Sequence, residues 1–96
     1  MRIAASTLER LLEADRLTVG MCVRAHGENL IVGRQDVRAD KGTETDDRVR
    51  FTRLSPSAWG ISVKRHTGRW ERTPFSGSIA EMVDVMRTYM QHLVAS

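Results

Sequence analysis

Trp59-Gly60-Ile61-Ser62-Val63-Lys64-Arg65, then His66-Thr67-Gly68, then Arg69-Trp70-Glu71-Arg72-Thr73, is the stretch on which the reading of the fold turns. Trp59, Ile61 and Val63 alternate with Gly60, Ser62 and Lys64, which is the period of a strand with one buried face. The His-Thr-Gly triplet supplies a turn, and the five residues after it return antiparallel. Pro74 has no N–H to give to a ladder, so the returning strand is expected to end there.

The reading extends in both directions from this hairpin. Downstream, from Ser78 to about Val94, Ile79, Met82, Val83, Met86, Tyr89, Met90 and Leu93 recur at helical spacing and predict one amphipathic helix. Ser78-Ile79-Ala80-Glu81 has the form of a capping box, in which Ser78 and Glu81 each satisfy a backbone N–H of the first turn. Upstream, Arg48 to Leu54 read as a strand with Val49 and Phe51 on one face and Arg48, Arg50 and Thr52 on the other. Ser55-Pro56-Ser57 turns that strand into the next.

Further upstream, Val19, Met21 and Val23 alternate within residues 18–25, and Leu30 to Arg34 return after the turn His26-Gly27-Glu28-Asn29. Residues 3–15 predict a helix with Ile3, Leu8, Leu11 and Leu12 on one side. Residues 35–47 are nearly all polar. They are expected to form a long solvated loop, or else an extension of the strands on either side. The order is α-β-β-β-β-β-α. It is an α+β domain in which an antiparallel sheet of about five strands carries the N-terminal and C-terminal helices on one face.

Composition narrows the setting. The 96 residues suit one domain with a core built mainly from Leu, Val, Ile and Met. Cys22 is the single cysteine, so no internal disulfide forms and a cytoplasmic setting is the expectation. No apolar run has the length of a signal-peptide core or a membrane span, and no membrane contact is expected. The net charge of +3 is unevenly spread. Residues 48–75 hold seven basic side chains against Glu71 alone, a net of +6, on a remainder that is slightly acidic.

That basic segment is the feature that points towards function. Arg48, Arg50, Lys64 and Arg69 are expected to supply charge on the open sheet face, with Arg65 and Arg72 nearer its rim. A small non-enzymatic binding or accessory protein follows, acting as a homodimer on a polyanion or an acidic protein partner. Single-stranded nucleic acid is the alternative ligand, because it is bound by cations for phosphates and flat rings for bases. Trp59, however, is expected in the core with Ile61 and Val63, which leaves the open face without an aromatic.

Other chemistries find less support. The seven glycines are scattered singly, so there is no phosphate loop or dinucleotide fingerprint. Cys22, His26, His66 and His92 lack metal-ligand spacing, and no metal or cofactor is expected. An enzyme reading would rest on Cys22 beside a histidine, or on a His–acid pair. Asp36, Asp40, Glu44, Asp46 and Asp47 cluster in the polar segment, as a solvated loop or a weak cation or partner contact.

The run Trp59 to Arg72, followed by the helix that Ser78-Ile79-Ala80-Glu81 opens, resembles a small bacterial family of uncharacterised function. That family shares a Trp-containing strand, a short Gly turn, a Trp-containing return strand and a closing helix. The resemblance spans residues 47–90 and implies no catalytic residue.

Overall fold

The computed structural model describes residues 2–38, 42–65 and 67–94, and the side chains within them except at 36–38, 42–45, 93 and 94. Helix α1 (Arg2–Glu13) leads into five strands: β1 (Met21–His26), β2 (Asn29–Arg38), β3 (Gly42–Ser55), β4 (Ala58–Lys64) and β5 (Trp70–Gly77). Helix α2 (Ile79–Tyr89) and a single turn, α3 (Gln91–Val94), follow. The strands form one antiparallel sheet in the order β1-β2-β3-β4-β5. The α+β architecture expected from the sequence is the one observed.

The period-2 alternation decides which face is core. Leu30, Phe51 and Ile61 stand in register across β2, β3 and β4, and Val32, Val49 and Val63 stand in register one step along. Leu30, Phe51, Val32 and Val49 are fully buried, with Ile61 at 1%. Leu8 and Leu12 of α1, with Met82, Val83 and Met86 of α2, complete the cluster from the helix side. Burying one such side chain contributes about 1.5–3 kcal/mol, so this single layer carries most of the stability.

Hairpin geometry follows from local chemistry. Gly27 has φ +61° and Glu28 does not share that sign, which fits a two-residue turn with glycine at its first central position. At the other end of the sheet, the Arg65 N–H donates to the Arg69 carbonyl at 2.8 Å and closes the β4–β5 turn.

Several expectations need correction. Ile3 lies outside the apolar stripe and is 83% exposed. It precedes Leu8 by five residues, which puts it about 140° round a helix. The first strand begins at Met21, not near residue 18. Val19 lies in the connecting turn and is half exposed, while Thr18 is fully buried. Residues 35–38 and 42–47 are not a loop. They pair as a prolonged hairpin from Gln35↔Thr45 to Arg38↔Gly42, the extension held open above.

Pro74 does not end β5, which runs to Gly77. β5 is an edge strand, and the β4–β5 register shifts between Gly60 and Ser62. The Ile61 carbonyl there accepts from the Thr73 hydroxyl at 2.8 Å, so the ladder does not depend on an N–H at residue 74. The closing helix breaks at Met90 (φ −124°, ψ 29°), whose N–H still donates to the Met86 carbonyl. Tyr89 points outward and stacks on Phe75 at 5.4 Å.

The two helices are joined by hydrogen bonds as well as packing. The last carbonyls of α1 have no partner within that helix. The Thr18 hydroxyl donates to the Leu12 carbonyl at 2.7 Å, and the Arg87 guanidinium on α2 donates to the Leu11 carbonyl. Arg87 also reaches the Thr18 hydroxyl at 3.4 Å. A cation at the negative end of α1 thus ties it to α2. Thr18→Val keeps the shape and orphans the Leu12 carbonyl. Chemical denaturation should show a loss of about 1–3 kcal/mol, whereas Thr7→Val on the exposed face of α1 should change little.

The capping box on α2 is formed: the Glu81 N–H donates to Ser78 Oγ at 3.1 Å and the Ser78 N–H to Glu81 Oε1 at 2.9 Å. The Ser78 backbone N–H, and after it the Ser78 hydroxyl, hold the Glu81 carboxyl below its ordinary 4.5. A lowered folded value means that the stabilisation is complete above the unfolded one and fades as pH falls through the folded one. NMR titration should place the Glu81 midpoint below 4.5. Glu81→Gln should remove that part of the acid sensitivity.

Candidate binding face on the open sheet

The register that buries Phe51 also sets what stands on the uncovered face. Arg24 pairs with Ile31, Ile31 with Arg50, Arg50 with Ser62, and Ser62 with Arg72. One row therefore crosses all five strands with an arginine on the first, third and fifth. Neighbouring strands are about 4.8 Å apart, so successive arginine positions are roughly 10 Å apart. Between them Ile31 and Ser62 are sunk, at 8% and 3% exposed.

Beside this row Lys64 pairs with Trp70. Trp70 is half-buried and shares its face with Arg50 and Lys64. The Arg50 guanidinium carbon lies 5.0 Å from the Trp70 ring centre and the Lys64 Nζ 5.9 Å. Both distances are within cation–π range. The expectation that this face lacks an aromatic is thus corrected. The strict register of β4 and β5 puts Trp70 opposite Lys64, whereas Trp59 is in the core at 4% exposure with Arg53 over its ring at 5.8 Å.

The remaining site residues divide by position. Arg72 stands opposite Ser62 at the end of the central row, on the edge strand β5 as the rim reading expects. Arg69 and Arg65 stand at the β4–β5 turn, and Arg65 is ion-paired with Glu71. Arg48 pairs with Asp46 at 2.9 Å. Arg24 holds Asp47 through two parallel bonds of 3.0 Å. Arg50, Lys64 and Arg72 make no ion pair among the described residues, and the buried Arg50 Nε has no acceptor.

Two of the five clustered acids are thus engaged by arginines. The side chains of Asp36 and Glu44 and the whole of Asp40 lie outside the described residues.

A bulge produces the Arg24–Asp47 pair. Val32 pairs with Val49 but Gly33 with Asp47, which leaves Arg48 as an extra residue on β3. The alternation shifts by one, so Asp47 meets Arg24 instead of following Val49 into the core. Gly33 permits this, since a Cβ there would lie 2.5 Å from the Asp46 carbonyl oxygen.

On its own strand, the alternative of a reactive thiol at Cys22 finds no adjacent histidine among the described residues. Cys22 is half-buried, in register with Gly33. His26 is four residues further along the same strand, about 13 Å away at the rise of a strand. His66 lies outside the described residues. Among those described, no three His, Cys, Asp or Glu side chains gather as metal ligands.

Compared with models of known families, with curated proteins and with solved structures, the chain finds no match. Gly33→Ala should force the bulge apart. We expect a loss of about 1–3 kcal/mol in denaturation, as for other overpacked sites. The Arg24 and Asp47 side-chain NMR signals should lose their signs of pairing.

Proposed function

We propose that this chain is a non-enzymatic binding protein whose open sheet face receives a polyanion. The observation that carries the reading is the group Arg50, Lys64 and Arg72. These cations sit within one or two strand spacings of each other and none has a carboxylate partner among the described residues. In water two charges about 10 Å apart repel by only about 0.4 kcal/mol, so the fold holds the group at little cost. An anion of matching length would gain from all three cations at once.

A repeating phosphate chain suits this arrangement better than an acidic protein, because Arg50 and Arg72 lie along one row across the strands and Lys64 stands directly beside it. A homodimer and a cytoplasmic setting belong to the same reading. β1 is a free edge without proline, a place where a second copy could add its own β1 and double the length of the row. Among the described residues no helix is long and apolar enough to cross a membrane.

Calorimetry with inorganic polyphosphate tests the reading. Three phosphate contacts give a logarithmic salt slope of about −2 by the single-strand rule, a roughly twentyfold loss of affinity between 50 and 200 mM salt. Replacing Arg50 and Arg72 together by Gln should flatten the slope to about −0.7. Binding with no salt dependence, or binding indifferent to both arginines, would sink the proposal.

A further inference from the structure

Charge explains the attraction of a polyanion to this face but gives no reason for a tryptophan there. Trp70 is the only Trp, Tyr or Phe ring among the described residues of the open face, and two cations lie within cation–π range of it. The other rings are engaged on the helix side: Phe51 is fully buried, Trp59 is nearly so, and Phe75 stacks with Tyr89 of α2. A ring needed only for stability would be expected in that core, where burial of an aromatic contributes most.

We infer that the polyanion is a single-stranded nucleic acid which crosses the strands along the Arg24–Arg50–Arg72 row and stacks one base on Trp70. The inference rests on the polyanion reading above and names the ligand class of that same face. The two cations beside Trp70 have separate roles. Arg50 is the closer, at 5.0 Å, and holds the ring in place. Lys64 is at 5.9 Å, close to the outer limit of about 6 Å for a useful cation–π contact. An arriving base takes the place of this weaker contact, and the released ammonium pairs with the adjoining phosphate.

Ile31 and Ser62, sunk between the arginines, keep the row level enough for a backbone to pass. Duplex DNA is disfavoured because its bases are stacked inside and cannot reach a ring on this face. Arg24 is held by Asp47, which makes it the terminal contact and not the central one.

The test compares two strands of equal length and charge, a thymidylate dodecamer and an abasic dodecamer, by fluorescence anisotropy at low salt. The thymidylate strand should bind roughly ten- to hundredfold more tightly, the range measured for loss of a base–aromatic stack. Trp70→Leu should erase the difference between the two strands, while Trp70→Phe keeps most of it. Tryptophan emission should be quenched by the thymidylate strand and not by the abasic one.

Equal binding of the two strands to the native protein would overturn the stacking inference and leave the polyanion reading in place. A thymidylate preference that survives in Trp70→Leu would overturn Trp70 as its source. Failure of both strands to bind would remove the polyanion reading and the inference with it. Unchanged thermal midpoints in both Trp70 variants show that a loss of binding is not a loss of fold.

Discussion

Phe51 stands in register between Leu30 and Ile61, and the remaining architecture depends on that row. Side chains alternate along a strand with period two, so a slip of one residue would expose Phe51 and bury Arg50. Burying an unpaired guanidinium costs several kcal/mol, and exposing Phe51, Val49 and their partners forfeits more. The core row and the arginine row are thus one constraint seen from two sides. The helices add to it by covering the face that Phe51 selects.

Much of this was legible in the chain because it depends on local periodicity. The alternation from Trp59 to Lys64 and the stripe from Ile79 to Met90 each identify an element without reference to any other. So does Ser78-Ile79-Ala80-Glu81, whose two reciprocal hydrogen bonds form as the spacing implies. The failures at Pro74 and at residues 35–47 lie where a second strand decides. Pro74 reads as a stop from its own chemistry, but at an edge beside a register shift it need not interrupt the ladder. The polar run 35–47 lacks an apolar face, yet β2 and β3 zip onward past the core because each offers the other a ladder.

The make-up of the open face was legible in part for the same reason. Arg50 and Lys64 were placed correctly because they neighbour strong core residues on their own strands. Arg69 stands at the turn and not on the open face, and Trp70 was overlooked, because β5 has almost no alternation of its own: Trp70, Glu71, Arg72 and Thr73 offer no apolar partner set. Its facing is inherited from β4 through the pairs Lys64↔Trp70 and Ser62↔Arg72. The signal available in the sequence was turn length. Counting back from a Gly68 turn closed by Arg65 and Arg69 puts Trp70 opposite Lys64.

Net charge was a poor guide to the site, since a chain of +3 is ordinary and even the +6 segment does not locate its cations. Pairing resolves the ambiguity. Arg24, Arg48, Arg65 and Arg87 are engaged by Asp47, Asp46, Glu71 and Asp15, and such exposed pairs contribute little beyond fixing side-chain positions. Among the described cations outside these pairs, Arg50, Lys64 and Arg72 form a compact group around Trp70. That group stands opposite the core face, so the register that buries Phe51 is also what gathers two arginines and a lysine round one ring.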